Sequence, residues 1–77
     1  MPHVKLNLYA TLRQYSGGSP SVEVDIEPGI TIEQLLAQLG VPPEQARILF
    51  VNNRHARLSD TLQGDETVAV FPAVGGG

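Results

Sequence analysis

Cysteine is absent from this 77-residue chain, and histidine occurs only twice, at His3 and His55. Small domains commonly reinforce a thin core with disulfides or a structural metal. Neither can be built here, so regular secondary structure has to hold the fold. The missing thiol also removes a common covalent nucleophile, and no Ser sits in a nucleophile-elbow pattern. No pair of His stands at helical spacing, and no Gly-rich phosphate loop opens a helix. Basic residues are scarce and scattered, five against eight acidic, for a net charge of −3. Phosphate backbones are gripped by clustered Lys and Arg, so nucleic acid is excluded as a partner class. No run of roughly 20 apolar residues is present, and Met1-Pro2-His3-Val4-Lys5 lacks the plan of a signal peptide. The expectation is a cytoplasmic protein with no membrane contact.

What is present reads as globular. Hydrophobic residues make up 42% and charged residues 17%, well away from disordered compositions. The expected organisation is one domain over residues 1–72 and a flexible tail over 73–77. A domain of this size buries only about 60% of the surface its unfolded chain exposes, so its stability margin is thin.

Val4, Leu6 and Leu8 alternate with Lys5, Asn7 and Tyr9, the period of a strand with one buried face. Ala10 to Tyr15 loses that alternation and runs into Ser16-Gly17-Gly18-Ser19-Pro20, which predicts a short helical turn and a loop. Val22, Val24 and Ile26 alternate with Glu23, Asp25 and Glu27 up to Pro28-Gly29, giving a second strand whose acidic trio faces water. Thr31 and Gln34 have the spacing of a capping box. Ile32, Leu35, Leu36 and Leu39 then make one helical stripe, and Gly40 supplies the stop. Ile48-Leu49-Phe50-Val51 is apolar on both faces, as a central strand would be. Asn52-Asn53 predicts a tight hairpin turn into a short strand over 54–57, because Asn tolerates positive φ. Leu58 to Leu62 reads as a connector and Gly64-Asp65 as a turn. A last strand, Val68-Ala69-Val70-Phe71, ends at Pro72, which cannot donate to a ladder. The order is α+β: a roll in which four to five strands are covered by one main helix.

Catalytic side chains are not apparent, and His3 and His55 read as surface residues. The unusual feature is the end, Phe71-Pro72-Ala73-Val74-Gly75-Gly76-Gly77. A glycine run at a terminus is ordinarily just frayed. Residues without a Cβ can also thread a narrow tunnel in another protein and present the terminal carboxylate as the reacting group. If Val68 and Val70 face the core, Ala69 and Phe71 face the opposite side beside the tail. There Phe71 either docks a partner or packs across strands against Tyr9 or Leu49.

The sequence resembles the MoaD/ThiS group of ubiquitin-like sulfur carriers. The resemblance rests on Leu8-Tyr9-Ala10-Thr11-Leu12-Arg13, on Phe50-Val51-Asn52-Asn53, and above all on Val68 to Val74 leading into a terminal di-glycine. It runs nearly end to end, and the Leu-Arg segment after the first strand looks closer to the MoaD branch. It implies a β-grasp roll with a mixed sheet. It also implies that an E1-like adenylyltransferase of the MoeB/ThiF type uses ATP to adenylate Gly77. Sulfur then replaces AMP, and the thiocarboxylate serves a sulfur-accepting enzyme, a MoaE-like large subunit or a ThiG-like one. No cofactor or metal is bound in this scheme. Gly77 is the reacting group, with Gly75, Gly76, Val74, Pro72 and Phe71 as partner-binding residues. Molybdopterin synthesis, with the chain as small subunit of the synthase, is the expected pathway. Thiazole, cysteine or tRNA thiolation, a protein modifier, and a plain interaction module are the alternatives. The chain departs from the family pattern at Asn53, Ala73 and Gly75, and in the order Gln63-Gly64-Asp65-Glu66.

Overall fold

The computed structural model describes residues 2–72. In chain order these form β1 (His3–Leu8), a 3-10 segment (Ala10–Ser16), β2 (Ser21–Asp25), β3 (Ile30–Thr31) and α1 (Ile32–Gln38). A 3-10 turn (Pro43–Gln45), β4 (Ile48–Val51), β5 (Arg54–Ala56), β6 (Thr61–Leu62) and β7 (Thr67–Phe71) follow. Five strands join one sheet in the order β2-β1-β7-β4-β5, and β3 pairs with β6 in a separate two-stranded ribbon. The large sheet is mixed: β1 and β7 run parallel at its centre, and the other pairs are antiparallel.

The alternation read from the sequence becomes the two faces of this sheet. Val4, Leu6 and Leu8 from β1 and Val68 and Val70 from β7 are fully buried, with Leu49 from β4 nearly so. Val4 sits opposite Val24 and Leu6 opposite Val22, which fixes the register of β2 by its inward-facing valines. Onto this face pack Ile32, Leu35 and Leu36 of α1, together with Leu12, Ile26, Val41 and Leu62. Each fully buried Leu or Ile contributes roughly 1.5–3 kcal/mol relative to exposure. No polar side chain is buried among the described residues. The acidic residues Glu23, Asp25 and Glu27 are exposed, as their alternation requires.

The helix is short, so its ends matter. The capping box forms as its spacing predicts: Gln34 N–H donates to Thr31 Oγ1 at 3.1 Å, and Thr31 N–H donates to Gln34 Oε1 at 2.9 Å. The C-terminus closes in a Schellman arrangement, with Val41 N–H donating to Leu36 O, Gly40 N–H donating to Ala37 O, and Gly40 at φ +78°.

The segment expected as a plain connector, Leu58 to Leu62, does more than connect. Thr61 and Leu62 pair with Thr31 and Ile30, and the carbonyls of Asp60 and Leu58 accept from the N–H groups of Ile32 and Glu33 at 3.0 Å each. Together with the capping box, this gives each of the four free amides at the helix start a partner. Two-residue strands have no period to read. Their pairing arises because the helix start and the 58–62 segment meet over the same core, so the sequence pattern did not contain it.

Candidate functional site at the exit of the last strand

The outer face of the sheet, opposite α1, divides along its length. At one end lie His3, Lys5, Glu23 and Thr67. At the other, where β7 ends, lie Tyr9, Ala69, Phe71, Ile48 and Phe50. The register accounts for the apolar end: Ile48 is opposite Phe71, Phe50 is opposite Ala69, and Tyr9 follows directly on β1, which runs parallel to β7. Of the two Tyr and two Phe in the chain, three meet here. Phe71 stacks on Tyr9 with ring centroids 4.2 Å apart and planes 8° from parallel. Phe50 meets Phe71 edge-on at 6.0 Å, and His55 meets Phe50 edge-on at 5.7 Å. Ile48 is 38% exposed, the most open of the large apolar side chains among the described residues.

The end of β7 is held from both sides. Arg47 N–H donates to Phe71 O at 3.0 Å, and Tyr9 N–H donates to Val70 O at 3.3 Å. Pro72 then ends the ladder, having no N–H to give. The chain therefore departs from one fixed point, with the aromatic cluster beside it. Ala10, at φ +54°, turns the chain out of β1 immediately after Tyr9, a conformation uncommon for a residue with a Cβ. Leu12, fully buried, anchors the 3-10 segment that follows. Tyr15 OH donates to Gln45 Oε1 at 3.2 Å, tying that segment to the 3-10 turn over Pro43–Gln45.

Phe71 and Pro72 stand where the sequence put them. Phe71 lies on the outer face and packs across strands, against Tyr9 rather than Leu49. Leu49 is 4% exposed on the inner face and cannot meet it. The remaining predicted site residues, Val74, Gly75, Gly76 and Gly77, lie outside the described residues. Sequence reasoning named Tyr9 as a packing partner of Phe71 but did not single out Ile48 and Phe50 as members of the same surface. Parity alone turns Ile48 and Phe50 outward once Leu49 faces in, but their meeting with Phe71 comes from the register of β4 against β7. His3 and His55 are surface residues as expected, and His3 Nε2 lies 3.5 Å from Glu23 Oε1. No group of three or more His, Cys, Asp or Glu suited to a metal ion occurs among the described residues. No described helix is long and apolar enough to cross a membrane.

A mixed five-stranded sheet grasping one helix on its inner face, with the last strand central and leading out of the fold, is the β-grasp arrangement of ubiquitin-like proteins. Within that class the chain belongs to the ThiS family, whose model matches residues 6–77. Comparison with curated proteins gives no match. Among solved structures it is similar to a Pyrococcus furiosus protein described as molybdopterin converting factor, subunit 1 (TM-score 0.74, 23% identity, covering 96% of this chain and 100% of that one). It is also similar to small archaeal modifier protein 1 of Haloferax volcanii (TM-score 0.75, 25% identity, 96% and 100%). The protein of the same name from Methanosarcina acetivorans is another (TM-score 0.70, 21% identity, 100% and 98%).

Proposed function

We propose that the chain is a sulfur carrier whose reacting group is the carboxylate of Gly77. An E1-like adenylyltransferase of the MoeB/ThiF type uses ATP to convert this poor electrophile to an acyl adenylate. Sulfide equivalents then displace AMP to leave a terminal thiocarboxylate. The single observation that best supports this reading is the family match, which extends through the terminal glycines to residue 77. The described domain is consistent with it. It has no cluster of catalytic side chains, and its aromatic surface lies beside the point where the chain leaves the sheet, suited to dock the enzymes that act on the terminus. The recipient we favour is molybdopterin synthesis, with the chain as small subunit beside a MoaE-like large one. A ThiG-like acceptor is the competing choice.

The test is to incubate the protein with ATP, its activating enzyme and a sulfur donor, and to weigh the product. One oxygen-to-sulfur exchange is expected, and removal of Gly77 should abolish it while leaving the fold unchanged by circular dichroism. A chain that forms neither adenylate nor thiocarboxylate with its activating enzyme is not a carrier. A second reading, attachment of the Gly77 carboxylate to lysines of target proteins, draws support from the likeness to proteins named as modifiers. Conjugates of higher mass in cells, lost on removing Gly77, would favour it.

A further inference from the structure

The large sheet has two edges, β2 and β5, and only one of them is blunted. β5 is three residues long, and the N–H of the next residue, Arg57, is taken by Asp60 Oδ2 at 3.0 Å. Short, capped edges resist strand addition. β2 has five residues and no such cap. Ile26 N–H donates to Pro2 O and Leu8 N–H donates to Pro20 O. In the β1–β2 register this makes Val22 and Val24 the residues that bond to β1. The N–H and C=O groups of Ser21, Glu23 and Asp25 therefore point away from the sheet, and none has a hydrogen-bond partner among the described residues.

The side chains along this edge alternate in step with the backbone. Val22 and Val24 are half-buried at the margin of the inner face, packed against the core. Glu23 and Asp25 are exposed on the outer face. Glu23 meets His3 at 3.5 Å and its side chain still remains 71% exposed. The surroundings are acidic: Glu27 follows directly, and Asp65 and Glu66 line a shallow groove beside Glu23. Lys5 is the one Lys or Arg in β1 and β2. Where β2 ends, Glu27, Ile30, Gln34 and Gln38 line an open groove of about 450 Å³ between the turn into β3 and α1.

We propose that the β2 edge is a strand-addition site for an extended, basic segment of a partner protein, in which β-branched apolar residues alternate with Lys or Arg. The segment pairs antiparallel, the more stable ladder. Its basic residues stand directly opposite Glu23 and Asp25 and exchange both backbone hydrogen bonds with them, while its apolar residues extend the inner face beside Val22 and Val24. Opposite charges directly across a ladder stabilise it. The next basic residue meets Glu27 at the groove beside α1. Charge decides against a second copy as the occupant, because two β2 edges brought together set the carboxylates of one against those of the other. β1 separates β2 from β7, so a partner bound here holds the chain while leaving the aromatic cluster and the exit of β7 uncovered. The site does not depend on any chemistry at Gly77.

The test is a titration of the isotope-labelled full chain with the peptide Val-Lys-Val-Lys-Val-Lys-Val, blocked at both ends, followed by amide NMR spectra and amide hydrogen exchange. Saturable binding that weakens as salt is raised is expected. At saturation, exchange at Ser21, Glu23 and Asp25 should slow at least about tenfold, whereas Val22 and Val24, already bonded to β1, should change little. Methylating the backbone nitrogens of the peptide's lysines keeps every charge but removes the donors that face β2, and should abolish binding. Glu23→Gln combined with Asp25→Asn, both on exposed side chains, should weaken binding at least about threefold. The proposal fails if the methylated peptide binds as well as its parent, or if Val-Glu-Val-Glu-Val-Glu-Val binds equally. It fails too if the changes fall on the aromatic cluster around Phe71 instead of β2, or if no saturable binding occurs.

Discussion

The two faces of β7 carry similar apolar residues to opposite ends. Val68 and Val70, pointing inward, are completely buried beneath α1, whereas Ala69 and Phe71, one residue out of phase, remain half-exposed. The difference is one of supply. The described domain has one α-helix, and it covers only one face of the sheet. The inner face is satisfied within the chain, while the outer aromatic cluster is satisfied only in part, by Tyr9 stacking on Phe71. Mutations should therefore separate the faces: inner ones move stability most, and outer ones move recognition with a smaller loss of stability.

The largest effect should come from the inner face. Leu6 is fully buried between its strand neighbours and the helix, so Leu6→Ala is expected to cost about 2–5 kcal/mol in transfer and cavity terms. A domain of this length has a total stability on the order of 4–12 kcal/mol. Urea denaturation should show a midpoint lowered by a large fraction of its value. A loss under about 1 kcal/mol would mean that the sheet face is not the core, and the contrast between the faces would collapse.

Phe71→Ala sharpens the same contrast from outside. It removes the stack with Tyr9 and the edge contact with Phe50, each worth about 0.5–1.5 kcal/mol beyond area burial. A loss of about 1–2 kcal/mol is expected, leaving the domain folded. If the cluster docks the activating enzyme, kcat/KM for adenylation should fall at least about tenfold, as for loss of a central aromatic anchor. An unchanged kcat/KM with reduced stability would make the cluster packing alone.

Smaller effects test how the inner layer is fastened. Thr31→Ala removes the oxygen that accepts from Gln34 N–H, with an expected cost of about 1 kcal/mol by thermal denaturation. That cap was legible from the spacing of Thr31 and Gln34. So were the helical stripe, the two long alternating strands and the exit at Pro72, because each is a local pattern with a fixed period or a fixed chemistry. What escaped the sequence depends on contacts between distant segments. The pairing of Ile30–Thr31 with Thr61–Leu62 follows from closure around the core, not from any repeat in those residues. The positive φ at Ala10 carries no local signal, because Ala is not a residue that favours that region. The aromatic cluster was half visible: Phe71 stood out beside the tail. Its grouping with Ile48 and Phe50 needed the register of β4 against β7, which the sequence does not state.

The turn Asn52-Asn53 offers the finest comparison, since its two residues share a conformation and differ in what their side chains do. Both lie at positive φ, +51° and +67°, as a two-residue hairpin of this hand demands. Asn52 Oδ1 additionally accepts from Thr67 N–H at 3.0 Å, and Asn52 N–H donates to Thr67 O at 2.9 Å, so this residue ties the hairpin to the start of β7. Asn52→Gly keeps the backbone free to adopt its φ but deletes the side-chain acceptor, and should cost about 0.5–1.5 kcal/mol. No side-chain hydrogen bond is made by Asn53 among the described residues, so Asn53→Gly should move stability by less than about 0.5 kcal/mol. Relief of the left-handed conformation there is opposed by the added freedom of glycine in the unfolded chain. Equal losses at the two positions would show that backbone conformation alone sets the hairpin. A loss confined to Asn52 would show that the hairpin is held in place by β7, the strand whose outer face carries the aromatic cluster.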